Sequence, residues 1–523
     1  MAGQGYPPGS QTAGGSANTG SGSPAAPKKV LPFKKILMIA VPVVVLVVAA
    51  IIIIPMLGGS DSTTVSDHIR FYTYRGEIFI SGNNNERFSI DGDLYSWQRS
   101  MDGSKAVMMV DYDPGNGGYL FFITPAGYTE IAADVFAYRL ADSGNGLVYF
   151  TDYNSRDNTA SLYLLDTSSK TETLIADDAH FTGSGMWGVS VSPNGKSVGY
   201  VTDYDDILNE FVGYIKIDGR NAEKLGEETY AVAISDSGRH IYYYKTDIDA
   251  NDSSFHVRSG NNEFRLSPSN RSLSIMLNRD YSEVIFTDVE GRTFMSRNGS
   301  ERARISGQSV QYILTARGTQ VTSYANVVVY GLSSLSNFVG VTEDGLAFYN
   351  SQLESHTIST TRNFLGAEIS SDGKTLYFLA NNNRLSSIDP TIPNADRNEI
   401  ARNVVSFTAS TDGRSVYFVN EDKELHYVSG NSAPRRIADD VYHGYLAMSF
   451  SGSRLFFLVD YRDGRGGELN FSNNGGNRTR VAGADDVMWV TTTSTNAFFR
   501  TRLGEIFRSN GNETFTLFVD EID

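Results

Sequence analysis

The sequence predicts an all-β fold: a β-propeller of four-stranded antiparallel blades, one large ring or two in tandem, after an N-terminal transmembrane helix. Three observations predict it. Runs rich in aromatic and β-branched residues alternate with Gly-bearing turns through 67–523. The same grammar returns at spacings of 37 to 55 residues. An uncharged apolar run occupies 36–57. Composition agrees with this reading. A chain of 523 residues is too long for one ordinary core, and 29 Tyr, 29 Phe and 50 Gly favour strands joined by tight turns. A net charge of −16 argues against a nucleic-acid binder. The absence of Cys excludes disulfides, thiolate metal sites and a cysteine nucleophile.

The N-terminal elements come first. Residues 1–29 are mostly Gly, Ser, Pro, Ala, Thr and Asn, which cannot bury enough surface to offset ordering entropy. A disordered cytoplasmic tail is therefore expected over 1–35. The run ILMIAVPVVVLVVAAIIIIPML at 36–57 is 22 residues long, enough to cross a hydrocarbon core as a helix. Its length and the lack of a small-x-small site favour an uncleaved signal anchor over a cleaved signal peptide. Lys28, Lys29, Lys34 and Lys35 precede the run, and Asp61 and Asp67 follow it. The positive-inside rule then puts the tail in the cytoplasm and 58–523 outside, with a linker over 58–66. The exported part holds 40 of the 44 basic residues and all 60 acidic ones, a net charge of −20. A large Cys-free exported part suits a bacterial cell envelope.

The repeat is clearest at 189–225, VSVSPNGKSVGYVTDYDDILNEFVGYIKIDGRNAEKL. A short apolar strand leads into a Ser/Asp-x-Gly-Lys/Arg turn, an aromatic strand follows, and two further strands close the unit. The turn glycines are Gly103, Gly144, Gly195, Gly238, Gly373, Gly413 and Gly452. LNRDYSEVIFTD keeps the pattern with Tyr281 and no Gly, and weaker copies fall near Gly318 and Thr495. Four strands recurring at this spacing are the signature of propeller blades, which cannot bury their faces alone. The units SPNGKSVGYVTDYDD, SSDGKTLYFLANNNRLSSIDP and STDGRSVYFVNEDKELHYVSG resemble the WD40-like (PD40) repeat of TolB-type propellers, also found in the prolyl oligopeptidase family. The resemblance covers most of 67–523 and implies fold far more than function. No hydrolase domain of the latter family is expected, because repeats run to Asp523. The opening HIRFYTYRGEIFISGNNNERFSI resembles the later strands of a blade and is expected to pair with C-terminal strands. The irregular stretch 321–340 is expected to hold a boundary or an insertion.

Blade topology puts the turn after the second strand and the link to the next blade on one face. Both are acidic. Asp111, Asp113, Asp152, Asp203, Asp205, Asp206, Asp247, Asp249, Asp460 and Asp463 follow second strands; Asp134, Asp177, Asp178, Asp439, Asp440, Asp485 and Asp486 stand at links. The plainer expectation is that these Asp end strands and cap turns. The functional one is attraction of Ca²⁺, a basic partner or an amino-sugar polymer. A calcium loop at Asp247-Ile248-Asp249-Ala250-Asn251 fails, with Asp252 where Gly is needed and Arg258 where Glu is needed. The Asp-Tyr pairs at 111, 152, 203 and 460 add aromatics, expected to pack between blades. Trp97, Trp187 and Trp489 are expected in the core. Of the seven His, those at 180, 240, 256, 356, 426 and 443 occupy unrelated repeat positions and read as packing or surface residues.

No nucleophile elbow, HExxH or phosphate loop occurs in the exported part. No catalytic residue, metal ligand or cofactor is therefore assigned. The expected function is a membrane-anchored scaffold binding an envelope protein or wall polymer. Alternatives are a polysaccharide hydrolase or lyase using rim acids, and a sensor signalling through the tail.

Overall fold

The computed structural model describes residues 70–518 except 75–76, 82–86, 182–185, 206–209, 248–251, 269–273, 289, 307–308, 315–320, 325–326, 331, 333, 336, 343, 361–363, 450–451 and 493–495. All belong to one compact unit, Leu57–Asp523. The tail, the apolar run 36–57, the linker, and the weak repeat copies near Gly318 and Thr495 lie outside the described residues. Among the described residues no helix is long and apolar enough to cross a membrane.

The repeated turn explains the repeated sequence. Its Ser hydroxyl donates to the Asp or Asn two positions on and accepts an amide from the start of the second strand. Ser370 Oγ donates to Asp372 at 2.6 Å and accepts from the Thr375 amide at 2.9 Å. Ser410 does the same with Asp412 and Ser415, and Ser192 with Asn194 and Ser197. These serines are buried, so the bonds satisfy groups that water cannot reach. The seven turn glycines have φ between +65° and +77°, where any Cβ is strained. In the turn without Gly, Tyr281 takes that position at φ +60°.

Each turn joins the first two strands of an antiparallel sheet. Among the described residues, seven four-stranded sheets form in chain order of strands, including 94–135, 137–180, 190–227 and 229–267. The remaining sheets are a three-stranded one at 70–90, a six-stranded one and an eight-stranded one. The eight-stranded sheet is two repeats, 441–480 and 487–518, bridged by the single pair Gly467 and Val487.

Sheets pack face to face in sequence order. One apolar cluster joins 94–135 to 137–180 through Val107, Met109, Leu147 and Tyr149. The next joins 137–180 to 190–227 through Phe150, Leu162, Val191 and Val198. Both faces of a central strand are therefore buried, which is why such strands read as nearly continuous apolar runs (LVYFT, LFFLV). The stack also curves back on itself. Met101 packs against the cluster built from 229–267 and 275–306, and Tyr281 reaches Asp142. Successive four-stranded sheets whose first turns meet around an axis make a β-propeller.

Two irregularities follow. Residues 321–340 include a hairpin, Val321–Tyr324 with Val327–Tyr330, inserted between the first and second strands of the 310–359 sheet. Its second strand pairs parallel to Ile275–Leu277, the inner strand of the preceding sheet. The opening strands Arg70–Tyr74, Glu77–Ser81 and Arg87–Ile90 pair only with one another among the described residues. The last strand, Thr514–Phe518, pairs with Ile506–Ser509 instead. The expected joining of the two ends is thus absent from the described residues.

Candidate functional site

Register fixes which ends of the strands share a face. In the 94–135 sheet Leu94, the start of the first strand, lies opposite Val110, near the end of the second. Asp113 lies opposite Gly117, and Gly118 opposite Val135, at the end of the fourth strand. The turn after the second strand and the link to the next blade therefore emerge together. This rim holds the acids singled out in the sequence.

Four of them share one backbone device. Asp111, Asp152, Asp203 and Asp460 have φ of +50° to +54°. At each, the second strand carries one extra residue against the third, as where Val110 and Asp113 oppose Tyr119 and Gly117. This is a β-bulge opened by a left-handed residue, a conformation Asp and Asn adopt more readily than other side chains. The link acids complete it. The Asp111 amide donates to the Asp93 carbonyl at 2.9 Å, and Asp460 to Asp440 at 3.0 Å. The Asp93 amide returns a bond to Asp111 Oδ1 at 2.7 Å. Thr151 and Thr202 hydroxyls donate to the carboxylates of Asp152 and Asp203.

The other candidates differ. Asp113 caps its own turn, accepting the Gly115 amide at 2.8 Å. Asp205 pairs with Glu210 in register, and Asp463 lies exposed in the turn after Arg454–Arg462. Asp247 ends the strand His240–Asp247, which has no bulge against the third strand, Asp252–Ser259. Asp206 and Asp249 lie outside the described residues.

The bulge also aims the next residue. Tyr112 stacks on Tyr95 at 4.1 Å and Tyr461 on Tyr442 at 4.1 Å, each ring lying on an aromatic of its own sheet. Tyr153 meets Phe136 and Phe181, and Tyr204 stacks on His180 at 3.9 Å. Tyr112, Tyr153 and Tyr461 also lie against the clusters that join neighbouring blades, and Tyr204 reaches His180 of the preceding blade, so the tyrosines pack between blades as well as along the rim. Trp187 sits edge-on to His180, Tyr204 and Phe211. Trp97, Trp187 and Trp489 are exposed, not core residues as expected. They lie at sheet margins, where the aromatic content of a strand does not reveal which face is covered.

The charge along the rim is uneven. Arg436 pairs with Asp439, Arg480 with Asp485, and Arg502 with Asp486. In the 137–227 region burial holds the Asp178 carboxyl above its ordinary range, helped by the charges of Asp177 and Asp203. Burial lowers the His180 pKa below its ordinary 6.5. Among the described residues no group of three or more His, Asp or Glu is placed to hold a metal ion.

Comparison with known proteins adds little beyond architecture. No protein-family model and no curated protein matches the chain. Solved structures similar to it include a tricorn protease, at 11% identity and TM-score 0.26, covering 87% of this chain and 62% of that one. This chain therefore spans less than two thirds of the tricorn protease's length. A eukaryotic initiation factor is similar at 10% identity and TM-score 0.40, covering 79% and 95% of the two chains. The β-propeller domain of Myceliophteria thermophila Cps50 (Swd1) is similar at 10% identity and TM-score 0.28, covering 53% and 96%.

Sequence reasoning located the rim but missed the left-handed backbone beneath it. The signal was present: an Asp-Tyr step recurring at the end of a strand, where strand propensity alone disfavours Asp.

Proposed function

We propose that this chain is a membrane-anchored scaffold of a bacterial cell envelope, a propeller of the TolB type. It holds its acidic, tyrosine-lined rim toward a basic protein or a cationic wall polymer outside the membrane. One observation carries the reading. All seven aspartates with positive φ among the described residues, at 111, 134, 152, 203, 440, 460 and 486, lie on the rim. The left-handed asparagines are spread over both ends of the blades, as at Asn158, Asn298, Asn403 and Asn474. The backbone would accept Asn equally well at every such site. Negative charge at the rim is therefore a choice separate from conformation, and it suits a cationic partner. The uncharged run 36–57, the lysines before it and the Cys-free remainder support the location.

The test uses full-length protein cross-linked in its own membranes. It is repeated with Asp111, Asp152, Asp203 and Asp460 all changed to Asn, which removes charge and keeps the backbone preference. A basic partner captured by the native protein and lost in the variant supports the reading. Capture unchanged by the variant, or a propeller that resists protease only from the outside of intact cells, overturns the contact surface or the location respectively.

A further inference from the structure

Several blades close the rim end of their fourth strand with an ion pair. Register locates its first member, the residue that pairs with the third strand directly after the bulge between the two. In the 404–438 sheet this is Arg436, paired with His426, and in 190–227 it is Lys224, paired with Tyr214. Each binds an acid three residues on, Arg436 to Asp439 and Lys224 to Glu227 at 2.9 Å. Arg480, paired with Asn470, binds Asp485 across a longer link. In 366–401 the charges are exchanged. Glu399 pairs with Ser386, and Arg402 binds it at 2.6 Å.

The 137–180 blade has the acid without the cation. Its equivalent position is Leu174, paired with Tyr163 directly after the bulge. The rings beneath agree: Tyr163 stacks on Tyr149 as Tyr214 does on Tyr200 and His426 on Phe418. Asp177 stands three residues on, in the place of Glu227 and Asp439. Among the described residues neither Asp177 nor Asp178 takes part in an ion pair. The charged groups that act on the Asp178 carboxyl are Asp177 and Asp203, both negative. Leu174 is 48% exposed, and Asp177 and Asp178 are exposed beside it.

We propose that Asp177 and Leu174 form a seat for an arginine side chain of a partner protein. The partner supplies from outside the cation that Arg436, Arg480 and Lys224 supply from within their own blades. Its guanidinium pairs with the Asp177 carboxylate, and an apolar neighbour of that arginine packs on Leu174. Asp178 and Asp203 deepen the negative field at the same end. Arginine is favoured over lysine on two grounds. The two internal cations that meet an Asp are arginines, and the lysine meets the longer Glu. A planar fork also fits a short carboxylate in two bonds. The inference rests on the rim reading for the charge of the partner and adds the place and the side chain that hold it.

The probe is the labelled peptide GIRIG, titrated by fluorescence anisotropy into full-length protein in detergent. Saturable binding is expected, weakened about fivefold by Leu174→Arg, which places the cation within the chain, and by Asp177→Asn. The same peptide with citrulline for arginine keeps the shape, loses the charge and should bind as weakly. Arg436→Leu opens the pair at Asp439 and should double the stoichiometry measured by calorimetry. All three positions are exposed, and unchanged melting temperatures would show that the variants fold. Absence of binding, or equal binding by native protein and Leu174→Arg, overturns the seat. Loss of binding in Asp111→Asn with Asp460→Asn, but not in Leu174→Arg, would keep the rim reading and overturn the seat alone. Binding of a glucosamine oligomer and not of the peptide would assign Asp177 to an amino sugar and overturns it equally.

Discussion

The Tyr281 hydroxyl donates to the Asp142 carboxylate at 3.0 Å, joining the first turns of two sheets 139 residues apart. Tyr281 occupies the position that glycine holds in seven other turns, at φ +60° and only 1% exposed. A bulky residue is unfavourable there by about 1–2 kcal/mol. Burial of the ring and the bond to Asp142 offset that cost. Replacing Tyr281 by Phe keeps the ring and removes the bond. A loss of about 1–3 kcal/mol is expected in guanidinium unfolding, with Asp142→Asn closing a double-mutant cycle. Additive effects of the two changes would contradict this coupling.

The rim bulges predict an ordered substitution series. Asp152→Asn and Asp152→Gly should leave the melting temperature nearly unchanged, because both residues accept positive φ. Asp152→Ala should destabilise by about 1 kcal/mol. Equal effects of Ala and Asn would show that the left-handed backbone does not govern this position.

Neighbouring turns approach to backbone contact. A Cβ on Gly146 would lie 2.2 Å from the Gly195 carbonyl oxygen, and one on Gly195 2.3 Å from the Gly146 nitrogen. Neither main chain can give way without moving its blade. Gly195→Ala, at φ +77°, should cost more than about 3 kcal/mol or prevent folding, well beyond the usual Gly-to-Ala effect. Soluble expression and a melt would check it, with Gly219→Ala, which meets nothing within 4 Å, as the control for positive φ alone.

Acid should weaken the fold through buried histidines. Burial is the leading cause that lowers the pKa of His180, His240 and His256 below 6.5. A lowered value means the unfolded chain takes up protons first, so the contribution is complete above 6.5 and is lost as pH falls below it. His180→Phe keeps a ring against Tyr204 and removes one titration. Its melting temperature should fall less than the native protein's between pH 7.5 and 5.5. An identical fall would remove His180 from the account.

Alkali acts through phenols. Burial pushes Tyr330 and Tyr377 up to about 12, and Tyr377 donates to the Gly413 carbonyl at 2.8 Å. A raised value means the unfolded chain ionises first, so stability is complete below pH 10 and lost between 10 and 12. Tyr377→Phe should flatten that loss in a pH series of unfolding midpoints, while lowering stability at neutral pH through the missing bond.

The fold was legible because its turn chemistry is local. Ser370, Asp372, Gly373 and Thr375 make their bonds within one turn, so their spacing in the chain already encodes the structure. The turn at Tyr281 was recognisable without glycine because the residues around it kept their order. The rim acids were legible as a group for the same reason. What escaped was non-local. At Asp111 the only sequence signal of a left-handed backbone is the recurring Asp-Tyr step, because the conformation depends on a bulge between the pairs Val110–Tyr119 and Asp113–Gly117. Exposure of Trp97 depends on how other sheets lie against its face, which its own strand does not encode. The pairing of 321–330 with 275–277 depends on where a distant edge happens to be open.

That last pairing restricts how such an array changes in evolution. Most of its units begin and end in the same sheet, so duplication or loss of one stretch of chain adds or removes one whole blade. The sheet at 275–306 borrows two strands from within the stretch that builds 310–359. Deleting 310–359 would uncover the inner edge at Ile275–Leu277, and a copy of 275–306 inserted elsewhere would arrive with that edge bare. These two units are inherited together or not at all.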